Sequence, residues 1–393
     1  SPRKKNAIRT LSSRYGDYRG LIREWVKEDP ALHARTAFTA ARFRHARLPV
    51  VLHVLHHWGG GTLKYVHDLS AGLKNQAKHL ILTPSYGDPR HVRLRSADVD
   101  DHFHAEIDIG DPEAFVALVE SFGISLVHLH HTTGYGPIPI ESILMRLDAP
   151  LVATVHDYYM ACPRITMLPP GQDFCGGPEP EACRRCLAPD KPQGATDIVE
   201  WHGRHAPLLR RAQEIICPSF DVKDRMTRYF GALPFVVVPH EPRPASFTGV
   251  HAPALAAHEM LRIAVIGAIG RHKGSEVLME AVAECKARQL PLCFEVIGHV
   301  GDVPKPRESE HFRQTGSYAE EALPTLIRAA DPHLFLYLSR WPETYCYTLS
   351  AALDSQLPIV APDIGAFVER LAGRPWTWLA GPRISGAGLA ALL

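Results

Sequence analysis

The sequence predicts an α/β protein in which two doubly wound units face a shared cleft. Short apolar runs alternate with amphipathic helical patterns along most of the chain, and this alternation is typical of consecutive strand–helix–strand units. The apolar runs are continuous, as expected of parallel strands that are buried on both faces of a sheet. A proline-rich stretch at residues 241–260 interrupts the pattern, which then begins again. The chain therefore divides into two units of the same class.

The individual elements follow from the spacing of these apolar residues. In the first unit, the predicted strands are residues 49–55, 79–83, 124–130, 150–156, 213–217 and 234–239. The predicted helices between them are residues 62–75, 112–121, 138–147, 198–212 and 220–230. In the second unit, the predicted strands are 261–267, 292–298, 333–338 and 357–362, and the predicted helices are 274–290, 319–330 and 344–356.

The domain boundaries follow from these elements. Residues 1–48 are predicted as an N-terminal extension, 49–240 as the first domain, 241–260 as the linker and 261–393 as the second domain. The extension begins with a basic, polar segment that predicts a solvated helix, with contact to a membrane surface or a partner as the alternative. Because doubly wound sheets bind ligands at the carboxyl ends of their strands, the cleft between the two domains is the predicted site.

The composition excludes several classes of protein. The chain has 393 residues with 43 basic and 42 acidic side chains, a net charge of +1 that argues against nucleic acid as the main partner. An apolar run of about 18 residues is absent, so no transmembrane helix is predicted, and no secretory signal is visible. The chain begins at Ser1 rather than at methionine, which leaves open that it is a fragment of a longer protein.

Three consecutive glycines, Gly59, Gly60 and Gly61, separate the first apolar strand from an amphipathic stretch that begins at Thr62. Glycine lets the backbone adopt unusual conformations and lets a ligand approach closely. A helix N-terminus behind such a turn favours an anion, because its N–H groups and the helix dipole both attract negative charge. The loop therefore predicts a phosphate contact, with a ligand-free tight turn as the alternative. It lacks the spacing of the dinucleotide-binding fingerprint.

Two charged residues mark the corresponding loops of the second unit. Lys273 lies at a strand-to-helix junction, where its charge and the helix N-terminus can both meet a phosphate. Glu343 lies in a loop before a predicted helix and is a candidate for binding sugar hydroxyls. The alternatives are an ordinary surface lysine and an ordinary glutamate in the first turn of a helix.

Four segments of the sequence together resemble the retaining GT-B glycosyltransferases of family four. They are GGGT, TVHDYYMACPR, IGAIGRHKG and PETYCYTLSAALDSQLPIVAPDIGAF. The resemblance covers about residues 50–380 and is strongest to bacterial enzymes that assemble O-antigen and other surface polysaccharides. It implies a GT-B fold, a nucleotide-sugar donor on the second domain and a glycan or lipid-linked acceptor on the first. It also implies a cytoplasmic enzyme that works at the inner face of the cytoplasmic membrane.

The same resemblance implies roles for individual residues. The glycine loop at 59–61 approaches the diphosphate and the acceptor, and Lys273 meets the diphosphate. Glu343 contacts hydroxyls of the donor sugar, and His156 lies near the sugar and the acceptor. The remaining implied donor contacts are Tyr318 beside the base and the backbone N–H groups of Tyr347, Thr348 and Leu349.

The sequence departs from the family pattern at three places. The second glutamate of the family motif, which usually binds the ribose, is replaced by Ala351. An arginine expected near Ala268 is missing, although Arg271 can supply the same charge to the donor phosphates. The chain ends at Leu393, before the long terminal helix of the family, so we expect a truncated second domain.

The implied chemistry is stabilisation of the nucleoside diphosphate as it leaves. Lys273, Arg271 and the loop N–H groups can provide this without a metal cofactor. Retention in the family is assigned to a front-face displacement in which the donor phosphate helps to deprotonate the acceptor, so no protein nucleophile is required. His156, Glu343 and Lys273 are therefore the predicted catalytic residues, with a structural hydrogen-bonding role as the alternative for His156.

Four of the eight cysteines, Cys162, Cys175, Cys183 and Cys186, lie in a loop rich in proline and glycine. Cys183 and Cys186 have the spacing of a ligand pair, and four thiolates suit a structural zinc ion. Metal is favoured over disulfides in a cytosolic enzyme, and disulfides or unligated thiols remain the alternatives. The other four cysteines lie in apolar segments and are predicted to be small core residues.

Three rival functions remain open at the level of sequence. Ala351 supports a GT-B-like pseudoenzyme or binding protein that lacks turnover. A sugar-nucleotide epimerase of the same fold would need additional catalytic carboxylates in the cleft. A zinc-binding interaction module would explain the cysteines but none of the other motifs.

Overall fold

The computed structural model of the chain describes residues 2–98, 100–135, 139–171, 173–241, 248–304 and 307–393. The chain divides into two compact units by its internal contacts. Unit 1 comprises Ser1–His57, Val66–Val127 and Gly134–Ala149, and unit 2 comprises Trp58–Tyr65, His128–Thr133 and Pro150–Leu393.

The strands and helices are numbered in chain order. The strands are β1 (Val50–Val54), β2 (Lys78–Ser85), β3 (Asp88–Ser96), β4 (His104–Asp108), β5 (Ile124–Leu129), β6 (Leu151–Thr154), β7 (Glu214–Cys217), β8 (Phe235–Val237), β9 (Leu261–Ile269), β10 (Leu292–Val300), β11 (Phe312–Gln314), β12 (Leu334–Leu336), β13 (Ile359–Pro362) and β14 (Thr377–Ala380). The helices are α1 (Pro2–Arg14), α2 (Tyr18–Glu28), α3 (Leu32–His45), α4 (Gly60–Gly72), α5 (Pro112–Glu120), α6 (Ile140–Leu144), α7 (Pro180–Leu187), α8 (Ile198–Arg211), α9 (Phe220–Phe230), α10 (Ser275–Arg288), α11 (Leu323–Ala330), α12 (Tyr347–Asp354), α13 (Ala366–Arg370) and α14 (Gly386–Leu392).

Unit 1 carries β1 to β4 and residues 124–127 of β5, and the strand order is β4-β3-β2-β1-β5. β1 and β2 are parallel, as predicted. The prediction of parallel strands throughout is wrong for the β2–β3–β4 ribbon, whose pairings are antiparallel. Sequence reasoning missed β3 and β4 because they are half-buried, so polar side chains interrupt their apolar residues, as is common for antiparallel strands with one solvated face.

Unit 2 contains the strands β6, β7 and β8, which pair in parallel in that order. It also contains a sheet of six strands in the order β11-β10-β9-β12-β13-β14, in which every pairing is parallel. Ile263 and Val265 of β9 pack into the apolar cluster on one face of this sheet. Ala264 and Ile266 pack into a separate cluster on the other face. This alternation confirms the prediction that the strands are buried on both sides.

The predicted elements of both halves recur with small changes at their ends. The N-terminal segment is helical, as predicted, and forms α1, α2 and α3. The predicted helix at 138–147 is shorter, and residue 138 lies outside the described residues. Residues 242–247 of the predicted linker also lie outside them, while residues 248–260 contain no helix or strand.

Candidate active site

Unit 2 contains every residue that the sequence predicts to contact the donor. The charged candidates of its six-stranded sheet lie on loops that follow the carboxyl ends of β9 and β12. A third loop follows β13 and carries the DIGAF sequence. These loops share the edge of the sheet at which parallel α/β proteins bind their ligands.

Lys273 lies in a tight turn that follows the end of β9. Residues Arg271–Lys273 form a 3₁₀ turn, and Gly274 follows with a φ of 77°. A Cβ atom on Gly274 would lie 2.5 Å from the carbonyl oxygen of Leu338, so this contact requires glycine. The turn therefore brings Lys273 against the segment that follows β12.

Lys273 and Glu343 form the charged centre of the candidate site. The Nζ atom of Lys273 lies 3.9 Å from the Oε1 atom of Glu343, whose side chain is only 7% exposed. The hydroxyl of Ser339 donates a hydrogen bond to the same carboxylate oxygen. The Glu343 carboxylate raises the pKa of Lys273, so the ammonium group keeps its charge at neutral pH. The site thus combines a buried carboxylate with a positive charge that is suited to a phosphate.

The DIGAF loop fixes the backbone of Glu343. Gly365 has a φ of 66°, and a Cβ atom there would lie 2.7 Å from the carbonyl carbon of Pro342. The N–H of Ala366 donates to the carbonyl of Glu343 over 2.9 Å. Glycine is required because the two loops pack backbone against backbone, which holds the carboxylate in one position.

Helix α12 begins at Tyr347, four residues after Glu343. Cys346 precedes the helix in a left-handed conformation with a φ of 67°. Arg370 stabilises this turn by donating to the carbonyls of Tyr345 and Cys346 over 3.0 and 2.7 Å. The N–H of Leu349 donates to the Cys346 carbonyl over 3.1 Å, so one of the three N–H groups predicted to meet phosphates makes a local hydrogen bond.

The glycine loop lies close to the start of α12. A Cβ atom on Gly61 would lie 3.0 Å from the ring of Tyr347. Gly59 and Gly60 have φ values of 77° and 69°, and no heavy atom of the described residues lies within 4 Å of the Cβ position of either glycine. The structure therefore places the loop beside a predicted donor residue and leaves open space on its surface.

Histidine and tyrosine rings pack together next to this loop, and we call these five residues the aromatic cluster: Tyr65, His130, His156, His240 and Tyr347. The ring of Tyr65 lies 4.6 Å from that of His240 and 5.2 Å from that of His156. The His240 ring stacks almost parallel to that of Tyr347 at 5.7 Å. The Nδ1 atom of His130 lies 3.0 Å from the Nε2 atom of His156, within hydrogen-bonding distance.

The structure brings His156 into the same neighbourhood as the donor motif. The hydroxyl of Thr344, the residue after Glu343, donates to the carbonyl of His156. Burial lowers the pKa of His240 to about 3, so this ring is neutral at physiological pH. Sequence reasoning did not single out Tyr65, His130 or His240. Position was a usable signal, because His130 directly follows the end of β5 and His240 lies three residues after the end of β8.

Two predicted donor residues have other neighbours. Arg271 lines a cavity of about 200 Å³ with Asp173 and Arg340, and its Nε atom lies 3.8 Å from Glu276. Asp173 and Arg340 form an ion pair. Tyr318 packs against the apolar cluster that contains Leu349. Burial raises the pKa of Tyr318, and the charge of nearby Lys273 acts in the opposite direction.

The four clustered cysteines line a single cavity of about 520 Å³. All four are free thiols, and none is fully exposed. Burial raises the pKa of the Cys162 thiol to about 12 and that of Cys183 to about 11. Among the other cysteines, Cys217, Cys285 and Cys293 are buried core residues, as predicted.

Comparison with known proteins supports the predicted family. Residues 59–240 match the family model of Glycosyltransferase Family 4. Similar solved structures include a sucrose-phosphate synthase from Thermosynechococcus elongatus, with 16% identity, a TM-score of 0.56 and 88% coverage of each chain. Anabaena HepE in complex with UDP and glucose is also similar, with 12% identity, a TM-score of 0.54 and 88% coverage of each chain. TarM has 10% identity and a TM-score of 0.53, and the alignment covers 88% of this chain and 91% of TarM.

These structural similarities show that the chain has the GT-B fold, which confirms the fold class predicted from sequence. The family-model match supports the prediction of a glycosyltransferase. No curated protein matches the chain.

Proposed function

We propose that the protein is a retaining glycosyltransferase that transfers a sugar from a nucleoside-diphosphate sugar to a glycan or lipid-linked acceptor in surface-polysaccharide assembly of the O-antigen type. The observation that carries this proposal is the Lys273–Glu343 pair beside the N-terminus of α12. A similar protein, HepE, is described in complex with UDP and glucose, which supports a UDP-sugar-like donor. The family-model match supports the reaction class.

The proposed reaction breaks the bond between the anomeric carbon and the diphosphate oxygen of the donor. The ammonium group of Lys273 meets the negative charge that develops on the leaving diphosphate, and the glycine loop contributes N–H groups. Glu343 accepts hydrogen bonds from hydroxyls of the donor sugar. The acceptor oxygen bonds to the anomeric carbon from the same face, and its proton passes to an oxygen of the leaving phosphate. This balance requires no protein nucleophile and no metal ion.

In the proposed complex, His156 contacts the donor sugar on the side where the acceptor binds. Its imidazole lies within hydrogen-bonding distance of His130, which can fix the tautomer and the orientation of the ring. Through its carbonyl, His156 is joined to Thr344, next to Glu343. A displacement of the loop that carries His156, or of the loop that carries Glu343, would therefore shift both proposed contacts with the sugar.

A binding protein without turnover is the second candidate, and Ala351 favours it. The family's second carboxylate is absent at this position. The neighbouring Ser350 hydroxyl instead donates to the carboxylate of Glu241. A second bond to Glu241 comes from the Tyr345 hydroxyl over 3.2 Å. A nucleotide could bind such a site without being turned over efficiently.

A screen of nucleoside-diphosphate hexoses separates these candidates. It measures binding and release of nucleoside diphosphate by the purified protein without added divalent metal. A retaining enzyme should release nucleoside diphosphate, and NMR should show that the first sugar product keeps the anomeric configuration of the donor. The Glu343→Gln variant should lose most of this activity. Binding without release of nucleoside diphosphate, with or without acceptor extracts, would support the binding protein. An inverted product, or strict dependence on Mg²⁺ or Mn²⁺, would contradict the proposed mechanism.

We also propose that α2 holds the enzyme at an anionic membrane surface. Leu21, Ile22 and Trp25 lie on one side of this helix and are 57%, 45% and 53% exposed. Residues 1–28 carry eight basic and three acidic side chains, whereas the whole chain has a net charge of only +1. Exposed apolar residues combined with basic residues are typical of helices that lie in the membrane interface. No helix in the described part of the chain is long and apolar enough to span a bilayer.

Vesicle sedimentation tests this surface. The protein should bind vesicles that contain phosphatidylglycerol, bind less to pure phosphatidylcholine, and dissociate at high salt. The Leu21→Ser and Trp25→Ser double variant should lose binding, while Val199→Ser, at an exposed apolar residue of α8, should retain it. Equal binding by both variants, or apolar-face-dependent dimers without vesicle binding, would contradict a membrane contact.

A further inference from the structure

The cysteine-rich loop between β6 and α8, residues 155–197, has little regular structure of its own. Its described part contains one helix, α7, and a short 3₁₀ turn. Ile165 and Met167 adopt left-handed conformations with φ values of 64° and 58°. Such conformations are costly for a β-branched residue like isoleucine and persist only where the surroundings enforce them. The loop therefore needs a strong local constraint.

The four thiols of this loop converge from separate segments. Cys183 and Cys186 lie three residues apart on α7, so their side chains project from the same face of the helix. Cys162 and Cys175 come from the preceding irregular segment, and the N–H of Ile165 donates to the carbonyl of Cys162 over 2.9 Å. All four side chains line the same cavity of about 520 Å³.

The residues that line this cavity favour a soft metal ion over a hard one. Its remaining described lining consists of apolar residues, prolines and two arginines, with no carboxylate and no imidazole. A set of ligands made only of thiolates disfavours Mg²⁺ and Ca²⁺, which prefer oxygen, and suits Zn²⁺. Four sulfur ligands complete the closed tetrahedral shell of a structural zinc site.

Arg164 supplies the kind of outer contact that such a site needs. Its Nε atom donates to the Sγ atom of Cys186 over 3.1 Å, and one of its Nη atoms donates to the carbonyl of the same residue over 2.7 Å. Its guanidinium also forms an ion pair with Asp190 at 2.6 Å. Four thiolates around Zn²⁺ carry a net negative charge, and a fixed guanidinium beside one sulfur offsets part of it.

We propose that Cys162, Cys175, Cys183 and Cys186 bind one structural zinc ion that fixes the loop between β6 and α8. In the structure, no three of these four described sulfur atoms all lie within 4.8 Å of one another. Zinc binding therefore requires the side chains to rotate inwards until each sulfur lies about 2.3 Å from the metal. The inference does not depend on the proposed glycosyl transfer.

The site has a structural consequence near the donor motif. Asp173, two residues before Cys175, forms ion pairs with Arg340 and with Arg383, the latter at 3.5 Å. Arg340 lies on the segment between β12 and Glu343. A metal ion that fixes Cys175 would thereby fix the acidic side chain that neutralises Arg340.

Metal analysis of the purified full chain tests the proposal. Protein that is prepared under reducing conditions without a chelator should contain about one zinc ion per chain. The Cys183→Ser and Cys186→Ser double variant should contain less than about a tenth of that amount. Cys293→Ser, at a buried cysteine of β10 outside the cluster, should retain the full amount. Folded, reduced wild-type protein without zinc, or a double variant that keeps its zinc, would overturn the proposal.

Cobalt titration keeps the test decisive if the double variant does not fold. Stripped wild-type protein should take up one equivalent of Co²⁺ and develop the thiolate-to-cobalt absorption and visible bands of a tetrahedral sulfur site. Excess zinc should then displace the cobalt. Absence of these bands would overturn the proposal, as would mass spectrometry showing that the four thiols of freshly purified protein are joined in disulfides.

Discussion

The donor motif and the cysteine-rich loop, both in unit 2, reach a defined geometry in opposite ways. Lys273 and Glu343 lie on short loops that are anchored at both ends by buried strands and helices. Gly274 and Gly365 allow those loops to pack against neighbouring backbone at distances closed to other residues. We propose that the loop at 155–197 instead depends on side chains, namely the contacts of Arg164 and the four thiols that line one cavity.

This difference predicts where each region is sensitive. The Lys273–Glu343 pair should keep its geometry when the proposed zinc ion is removed, and only the nearby Asp173–Arg340 ion pair should loosen. The pair should not tolerate a change of Gly274 or Gly365, or of either charged residue. The cysteine-rich loop should tolerate changes elsewhere in the sheet but lose its order when its thiols are removed. The five predictions below test this contrast, from the largest expected effect to the smallest.

Glu343→Gln should lower turnover by roughly 10- to 150-fold, because charge-assisted hydrogen bonds to the sugar are worth about 1.5–3 kcal/mol. Binding of free nucleoside diphosphate should change much less, since the carboxylate contacts the sugar. Initial rates and calorimetric titrations measure the two effects separately. The matched control is Glu310→Gln. The Glu310 side chain is 80% exposed, so this change should leave turnover unaltered. Normal turnover in the Glu343 variant would remove this residue from the mechanism.

Gly365→Ala should destabilise unit 2 by about 1–3 kcal/mol, because its φ of 66° and its contact with Pro342 both disfavour a Cβ atom. Chemical denaturation measures the loss. Gly301→Ala is the control, since among the residues that the structure describes no heavy atom lies within 4 Å of its Cβ position. Equal stabilities of the two variants would show that the backbone contact at Glu343 is loose.

Zinc should slow hydrogen exchange in the loop at 155–197 but leave exchange in β9 and α10 almost unchanged. When free zinc is ten times its dissociation constant, local opening should become about tenfold rarer. Mass spectrometry of peptides from stripped and reloaded protein gives both rates. Protection that spreads equally over β9 and α10 would mean that the two regions are not independently stabilised.

Low pH should lower the free energy of unfolding of unit 2 because of His240. Its pKa is lowered by burial from 6.5 to about 3, so the unfolded state takes up a proton below pH 6.5 and the folded state does not. Stability should therefore fall as the pH drops, by at most about 1.4 kcal/mol between pH 6.5 and 5.5 for this group. Denaturation of His240→Phe should show a shallower dependence on pH. An unchanged slope would assign the acid sensitivity to other groups.

Ala351→Glu should tighten nucleotide binding modestly, by about 0.5–1.5 kcal/mol, if the ribose lies where the family resemblance places it. Calorimetry of nucleoside diphosphate binding measures the change, and Ala351→Gln tests whether charge is needed. Weaker or unchanged binding would mean that another residue holds the ribose. Glu241, which accepts hydrogen bonds from Ser350 and Tyr345, would then be the first residue to examine.

The sequence was most informative where structure is local. Continuous apolar runs predicted β9, β10 and β13 because these strands are covered on both faces, and the glycine and charged motifs marked the loops at their ends. The β2–β3–β4 ribbon was missed because one-sided burial makes its strands resemble polar loops. The contacts of the aromatic cluster were not predicted, because His130 and His240 are far apart in the sequence and each reaches His156 through long-range packing. Crowding of the four cysteines in one loop predicted a shared zinc ion; all four line one cavity, and the metal stays a prediction.

The central claim is that a donor diphosphate binds at Lys273, and calorimetric titration of UDP, GDP and ADP tests it most directly. At least one of these nucleotides should bind the wild-type protein without added divalent metal. Lys273→Ala should weaken that binding by roughly 10- to 150-fold, since a charge-assisted phosphate contact is worth about 1.5–3 kcal/mol. Lys286→Ala, an exposed lysine on α10, should bind normally. Equal affinity in the wild type and Lys273→Ala, with both folded, would contradict the placement of the donor in this site.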